Sequence, residues 1–227
     1  MYYRHELKFE VSELVLKKLE YRLKPLLKKD VHQDGDYYLI RSLYFDDTVD
    51  SCLNENLAGV DNRSKYRIRT YNGSSSIINL EKKSKLHGMT HKDSTDISFE
   101  QCNTYMNKNI PKLLDCESEL EKELFTMANS KRMLPKCIVE YERSAYVLPQ
   151  GNVRVTFDKN IRGSKDISQF FNQRIDAVPV QESDMHILEV KYDEFLPEYL
   201  LAVLDLGNLR RQSFSKYASV RMVCGRI

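Results

Sequence analysis

The chain has 227 residues, enough for one domain with a full core, and its 41% hydrophobic and 30% charged residues exclude a disordered or fibrous protein. Lys and Arg number 35 against 33 Asp and Glu, a formal charge of +2, so no global basic field points to nucleic acid or an anionic membrane. Any anion site must therefore be local.

The first segment, "YYRHELKFEV", alternates: Tyr3, Leu7, Phe9 and Val11 are apolar, while Arg4, Glu6, Lys8 and Glu10 are charged, which predicts a strand with one buried and one ionic side. Ser12 can then cap a helix in which Val15, Leu19, Leu23 and Leu26 line one face. Residues 37–46 read as a strand. In the next, 63–71, Arg63, Lys65, Arg67, Arg69 and Tyr71 share one face and Ser64, Tyr66, Ile68 and Thr70 the other. Asn72-Gly73 supplies the positive φ angles of a tight hairpin turn. The returning "IINLEKKSKL" sets Glu81, Lys83 and Lys85 against Ile78, Leu80 and Leu86, so one charged face meets another across the hairpin.

His87 and His91 are four apart, but Gly88 lies between them and no acidic base or third ligand follows, so a polar loop is the better reading than a metal site. Residues 94–99 read as a strand and Pro111 to Asn129 as a charged helix. The strand expected at 136–147 turns through "PQG" into "NVRVTFD", where Asn152, Arg154, Thr156 and Asp158 alternate with Val153, Val155 and Phe157. "HILEVKYD" sets Glu189, Lys191 and Asp193 against Leu188 and Val190. A helix is expected after Pro197 through Leu206, and "RRQSFSKYASVRMV" after Gly207 makes a final one. No repeat, low-complexity tract or linker interrupts residues 1–227, which read as one domain. The five cysteines form no C-x-x-C pair and the chain opens on a charged strand instead of a signal peptide, so free thiols and a cytoplasmic location are expected. No apolar run approaches the roughly 20 residues of a membrane span, and membrane attachment would need a partner.

One strand of this kind simply turns its polar face to water. Several in one sheet make their charged faces a continuous surface, and closing the sheet gathers those faces inside. The expected fold class is therefore α+β: a closed antiparallel β-tunnel of about eight strands with a charged interior, helices packed outside and a C-terminal helix at one end. Unpaired buried charge is very costly, so such a tunnel must hold water, counterions or a polyanion.

In this order, E-L-K in the first strand, "LYFDD", "NRSKYRIRTYNG", "LEKKSKLHG", "VEYERSAY", "VRVTFD", "ILEVKYD" and "SFSKY" resemble the VTC domain, the polyphosphate polymerase branch of the triphosphate tunnel metalloenzymes, related to the CYTH group. The resemblance runs from about residue 3 to 219. It implies phosphate contacts at Lys8, Arg67, Arg69, Lys83, Arg143, Arg154 and Lys216, polar contacts at Tyr141 and Ser215, and a metal ligand at Glu189. Lys191, on the face of Glu189, joins the substrate-binding set. Arg67, Arg69, Lys83, Arg143 and Arg154 are the catalytic candidates. Alternation supports Lys83 over Lys82, but Arg143 shares a face with Val139 and Ala145, so parity alone selects Glu140 and Glu142, and a bulge would reconcile the two. Arg41 lies on the side of Leu39 and Leu43 and is carried as a possible contact.

The implied reaction is metal-dependent transfer of the ATP γ-phosphate to the end of a growing polyphosphate chain, with release of ADP. Glu189, a hard oxygen ligand, suits Mg²⁺ or Mn²⁺, with Glu6, Glu10 and Glu81 either completing the shell or pairing with tunnel cations. The competing readings are hydrolysis of a triphosphate in the same tunnel and a non-catalytic polyphosphate binder. The fourteen tyrosines could stack bases, but they sit mostly opposite the cations or beside apolar residues, so nucleic acid is not expected as a partner.

Overall fold

A computed structural model describes residues 4–31, 33, 35–205 and 208–225. In chain order the elements are β1 (His5–Ser12), α1 (Glu13–Leu23), β2 (Lys28–Lys29), β3 (Tyr38–Asp46), α2 (Ser51–Leu57), β4 (Arg63–Tyr71), β5 (Ser74–Leu86), β6 (Met89–Asp96), α3 (Phe99–Met106), α4 (Glu119–Lys131), β7 (Leu134–Leu148), β8 (Val153–Ser164), β9 (Val178–Pro179), β10 (Met185–Tyr192), α5 (Glu198–Leu204) and α6 (Lys216–Cys224). The strands form one antiparallel sheet in the order β1-β10-β8-β7-β3-β4-β5-β6, with β2 on β7 and β9 on β8. The sheet curls until its two edges touch. Arg4 N donates to Thr90 O at 3.0 Å and Thr90 N to Arg4 O at 3.2 Å, and the closure described between β1 and β6 is that one residue pair.

The period of two decides which side is which. Apolar residues of β1, β8 and β10 (Phe9, Val11, Val153, Val155, Phe157, Leu188, Val190) point outward and are covered by Leu16, Leu19 and Leu23 of α1 and Leu200 and Leu204 of α5. Each such fully buried side chain contributes about 1.5–3 kcal/mol, so truncating Leu19 or Leu23 would cost the fold about 2–5 kcal/mol. On the other flank Ile68, Ile78 and Leu80 meet Leu120 and Leu124 of α4 and Cys102 and Tyr105 of α3. With the outside covered, the ionic faces of β1, β4, β5 and β10 turn inward. None of the described helices is long and apolar enough to cross a membrane.

Several boundaries differ from the sequence expectation. Strand β6 starts at Met89 and takes in His91, while Ser98 ends the extended run by capping α3 with a reciprocal Gln101 contact. The helix expected from Pro111 begins at Glu119, again behind a capping box, Ser118 with Glu121. Leu26 lies past the end of α1 and is exposed, its place on the buried face being taken by Leu16. The final helix starts at Lys216, not Arg210. The stretch before it is held extended against β1, with Gln212 N donating to Lys8 O at 2.9 Å and Arg211 bridging Phe9. Tyr3, Leu206 and Gly207 lie outside the described residues.

Candidate functional site

The concave side of the curled sheet encloses a cavity of about 1220 Å³. Lys8, Arg67, Arg69, Lys83, Tyr141, Arg143, Arg154, Glu189, Lys191, Ser215 and Lys216 all line it, contributed by β1, β4, β5, β7, β8, β10 and α6. Among the described residues the lining carries fourteen Lys and Arg against two Glu. Carboxylates set into the wall organise eight of these cations into three groups.

The first group surrounds Glu81 on β5. Its Oε2 accepts from Arg67 Nε at 2.7 Å and lies 3.7 Å from Arg69 Nη1, and its Oε1 is 2.9 Å from Lys92 Nζ. Burial opposes ionisation of this fully buried carboxyl, but Arg69, Arg67 and Lys92 outweigh it and hold the group well below the usual range. Glu81 therefore pairs with tunnel cations. Arg67 also donates to Tyr44 Oη at 2.8 Å, whereas Arg69 has only long contacts, 3.5 Å to Ser42 Oγ and 3.4 Å to Tyr141 Oη.

The second group is Asp158 on β8, which binds Arg143 through both oxygens (2.6 and 2.7 Å) and Lys216 Nζ at 2.6 Å. Burial works against its ionisation, and Arg143 and Lys216 nevertheless lower its pKa from 3.8 to about 2. Lys216 stands 4.7 Å over the Tyr141 ring, a cation–π contact that fixes it without consuming its charge.

The third group joins β1, β5 and β10. Lys83 Nζ reaches Glu6 at 2.6 Å, Lys8 Nζ lies 2.9 Å from Glu6 and 3.7 Å from Glu189, and Lys191 Nζ is 3.5 Å from Glu189. Burial and Glu189 both push Glu6 upward, yet Lys8, Lys83 and Lys191 leave it at about 2. Glu189 is likewise held well below its usual range, against burial, by Lys191, Lys8 and Lys83. Two ionised carboxylates are the number that Mg²⁺ or Mn²⁺ commonly takes when substrate phosphates supply the other ligands, so Glu189 and Glu6 fit such an ion. Among the described residues no cluster of three His, Cys, Asp or Glu gathers that could hold a metal ion. His87 sits at a turn beside Asp61, and His91 faces Asp93 at 2.9 Å. Glu10 accepts from Gln181 and Gln212 and does not line the cavity.

Parity fails on one strand. In β7, Tyr141 and Arg143 face the cavity, and Glu140 and Glu142 face out. The bulge that would have reconciled Arg143 is present on the neighbouring strand instead. Four residues of β8, from Lys159 to Arg162, oppose three of β7, from Glu140 to Glu142, with Asn160 at φ 51° as the extra one. That insertion turns Arg162 to the outside. There it shares Glu140 with Arg41, whose guanidinium is also bonded to Phe170 O at 2.7 Å and Asn172 O at 2.6 Å. Arg41 is thus not a tunnel contact. Of "LYFDD", Tyr44 lines the cavity, whereas Asp46 accepts from Cys52 N at 2.9 Å and Tyr217 Oη at 2.5 Å, tying α2 and α6 to β3.

Two parts of the site escaped the sequence reading. Asp158, noted only as one of an alternating set, secures Arg143 and Lys216. The cavity is also unequal along its length. Toward the Asn72 turn its wall is neutral, with Tyr38, Tyr71, Ile40, Ile77, Ser74 and Asn79, whereas toward the Gly88 turn it is basic, with Arg4, Arg63, Lys65, Lys83, Lys85 and Lys92. Hydrophobic alternation reports the face of each strand but not this lengthwise division.

The model of the VTC domain matches residues 3–223. Among solved structures, the chain is similar to a candidate adenylate cyclase from Bacillus halodurans, with a TM-score of 0.54, 15% identity, and 90% of this chain and 87% of that one covered. A protein of Pyrococcus horikoshii gives a TM-score of 0.52 at 12% identity, covering 99% and 100% of the two chains. A candidate adenylate cyclase from Vibrio parahaemolyticus gives 0.53 at 12%, covering 96% and 98%. At these identities the likeness shows the fold alone. No curated protein matches the sequence.

Proposed function

The chain belongs to the VTC domain family, and from that premise we propose that it is a polyphosphate polymerase, transferring the γ-phosphate of ATP to the end of an inorganic polyphosphate chain held in the tunnel. One observation carries the reading: a large concave cavity whose wall, among the described residues, places fourteen Lys and Arg around two lining carboxylates. A polyanion supplies the missing negative charge.

Phosphoryl transfer asks the protein for position and charge more than for covalent chemistry. An anionic oxygen at the chain end attacks the γ-phosphorus, a new P–O bond forms, and the bond to the β-phosphate oxygen breaks with its electron pair leaving on ADP. The nucleophile is already ionised, so no general base is required. Arg69, with its long contacts, and Arg67 and Arg143, whose carboxylate partners set their planes, can stabilise charge on the transferring phosphate. Lys83, Lys8 and Lys191 would hold flanking phosphates, and Lys216 with Ser215 would contact the chain from the α6 end. Arg154, 3.1 Å from Tyr38 Oη and 2.9 Å from Asp30, reaches into the neutral part of the cavity. There Tyr38 and Tyr71, ring centroids 6.2 Å apart, suit the nucleoside of the donor. Glu189 with Glu6 would hold Mg²⁺ or Mn²⁺, which when bound neutralises phosphate oxygens.

The test is incubation of the protein with ATP and Mn²⁺, followed by gel separation of the products. Long phosphate chains with stoichiometric ADP are expected. Free orthophosphate alone would replace polymerisation with hydrolysis in the same tunnel, and tight polyphosphate binding with no turnover would leave a binder.

A further inference from the structure

Lys65 lines the cavity but stands apart from the three carboxylate-centred groups. Lys8, Lys83, Lys92, Arg67, Arg143 and Lys216 each touch an acidic oxygen; Lys65 instead donates to Ser215 Oγ at 2.8 Å and lies 5.7 Å over the Tyr217 ring. Ser215 Oγ is neutral and is already used as the N-cap of α6, accepting from Ala218 N at 3.3 Å. The surroundings of Lys65 are mostly of its own sign. Lys8 faces it from β1, Lys83 from β5 directly opposite in register, and Arg63 from its own strand. Lys92 on β6 lies beyond Lys83 and is occupied by Glu81. Tyr44 of β3 stacks on Tyr217, and Cys52 of α2 also faces Lys65.

A half-buried ammonium among cations, with only neutral partners, is electrostatically unsatisfied until an anion arrives. We propose that Lys65 is a further substrate-binding residue, which holds a phosphate of the chain at the basic end of the tunnel and takes up a proton as that phosphate binds. The empty tunnel lowers its self-repulsion by leaving this amine about half neutral near pH 7. Burial first, and then Lys8, Lys83 and Arg63, bring its pKa down to about 7, and phosphate oxygens beside it would restore an ordinary lysine value. The sign follows: a group whose pKa rises on binding favours binding at low pH, and that contribution fades as pH climbs above about 7. The proposal rests on the tunnel reading above but not on turnover.

Inorganic tripolyphosphate, without metal, is titrated calorimetrically into wild type, Lys65→Arg and Lys65→Met, in two buffers of different ionisation enthalpy at pH 6 and pH 8. At pH 8 the wild type should take up about 0.9 proton more per ligand than the arginine variant, which cannot titrate. The methionine variant should lose the same proton and bind about tenfold more weakly at pH 6. If the arginine does not fit, shown by a changed near-ultraviolet circular dichroism spectrum, the methionine comparison carries the proton count. Equal proton uptake in wild type and variants, or unchanged affinity of Lys65→Met at pH 6, overturns this role for Lys65 alone. Failure of the wild type to bind tripolyphosphate at all overturns the tunnel reading with it.

Discussion

Arg41 on β3 and Arg69 on β4 sit one position out of register, since Arg41 pairs with Thr70 and Ser42 with Arg69. That offset sends them to opposite sides of the sheet. Both are buried, and both would count as interior arginines on burial alone. Arg41, outside, is held by short contacts: Glu140 Oε2 takes Nε at 2.6 Å and lies 2.5 Å from Nη2, two carbonyls take Nη1, and Arg162 closes the other oxygen of Glu140. Arg69, inside, has no polar contact shorter than 3.4 Å among the described residues. The difference teaches that unspent hydrogen-bonding capacity facing a cavity, rather than burial, marks a binding arginine. One held by several short contacts away from the cavity is part of the fold.

The comparison breaks most visibly at Arg69. Arg69→Ala leaves Glu81 with Arg67 and Lys92, so no carboxylate is orphaned and the melting temperature should move by only a few degrees. Phosphate transfer should fall on the order of 100- to 1,000-fold, as for loss of one charge-stabilising donor. Full activity in a purified variant would remove Arg69 from the reaction.

Arg41→Met should do the reverse. It opens a buried ion-pair network and strands half of Glu140, a loss of about 3–5 kcal/mol in denaturant unfolding. Tripolyphosphate affinity per folded molecule should stay as in wild type. A variant of normal stability with weakened affinity would place Arg41 on the wrong side of the sheet.

The same distinction explains what could be read from residues alone. In β1, β4, β5, β8 and β10 a helix or loop covers one face and the cavity wets the other, so alternation names the inward residues, Lys8, Arg67, Lys83, Arg154 and Glu189 among them. β7 is embedded between β3 and β8 and buried on both faces. Its outward Glu140 meets Arg41 and Arg162 while its inward face carries Val139 and Ala145 beside Arg143, so charge no longer indicates direction. Identifying Arg143 depended on the family resemblance. The helices α3 and α4 were legible in principle from "SFEQ" and "SELE", each a Ser followed three residues later by Gln or Glu. The extended stretch ahead of α6 was not legible, because its backbone pairs with Lys8 and Phe9, some 200 positions away in sequence.

Asp158 sharpens the contrast, being an inward-facing group that is nonetheless saturated. Arg143 occupies both its oxygens and Lys216 one of them, and no surface of it is exposed. It should therefore behave as a folding residue inside the functional wall. Its pKa drops from 3.8 to about 2 on folding, so its stabilisation is complete above pH 4 and is withdrawn as pH falls toward 2. Unfolding between these limits takes up as much as about 0.8 of a proton, near pH 3. Asp158→Asn cannot take up that proton, so its denaturation midpoint, lower at pH 5, should decline less steeply toward pH 3 than that of the wild type. Parallel decline of the two proteins would mean that Asp158 does not carry the acid sensitivity. The variant also removes one negative charge behind Arg143 and Lys216, and tripolyphosphate binding should tighten by a few-fold at neutral pH. Weaker binding would show that the carboxylate is needed more for aiming the two cations than its charge costs them.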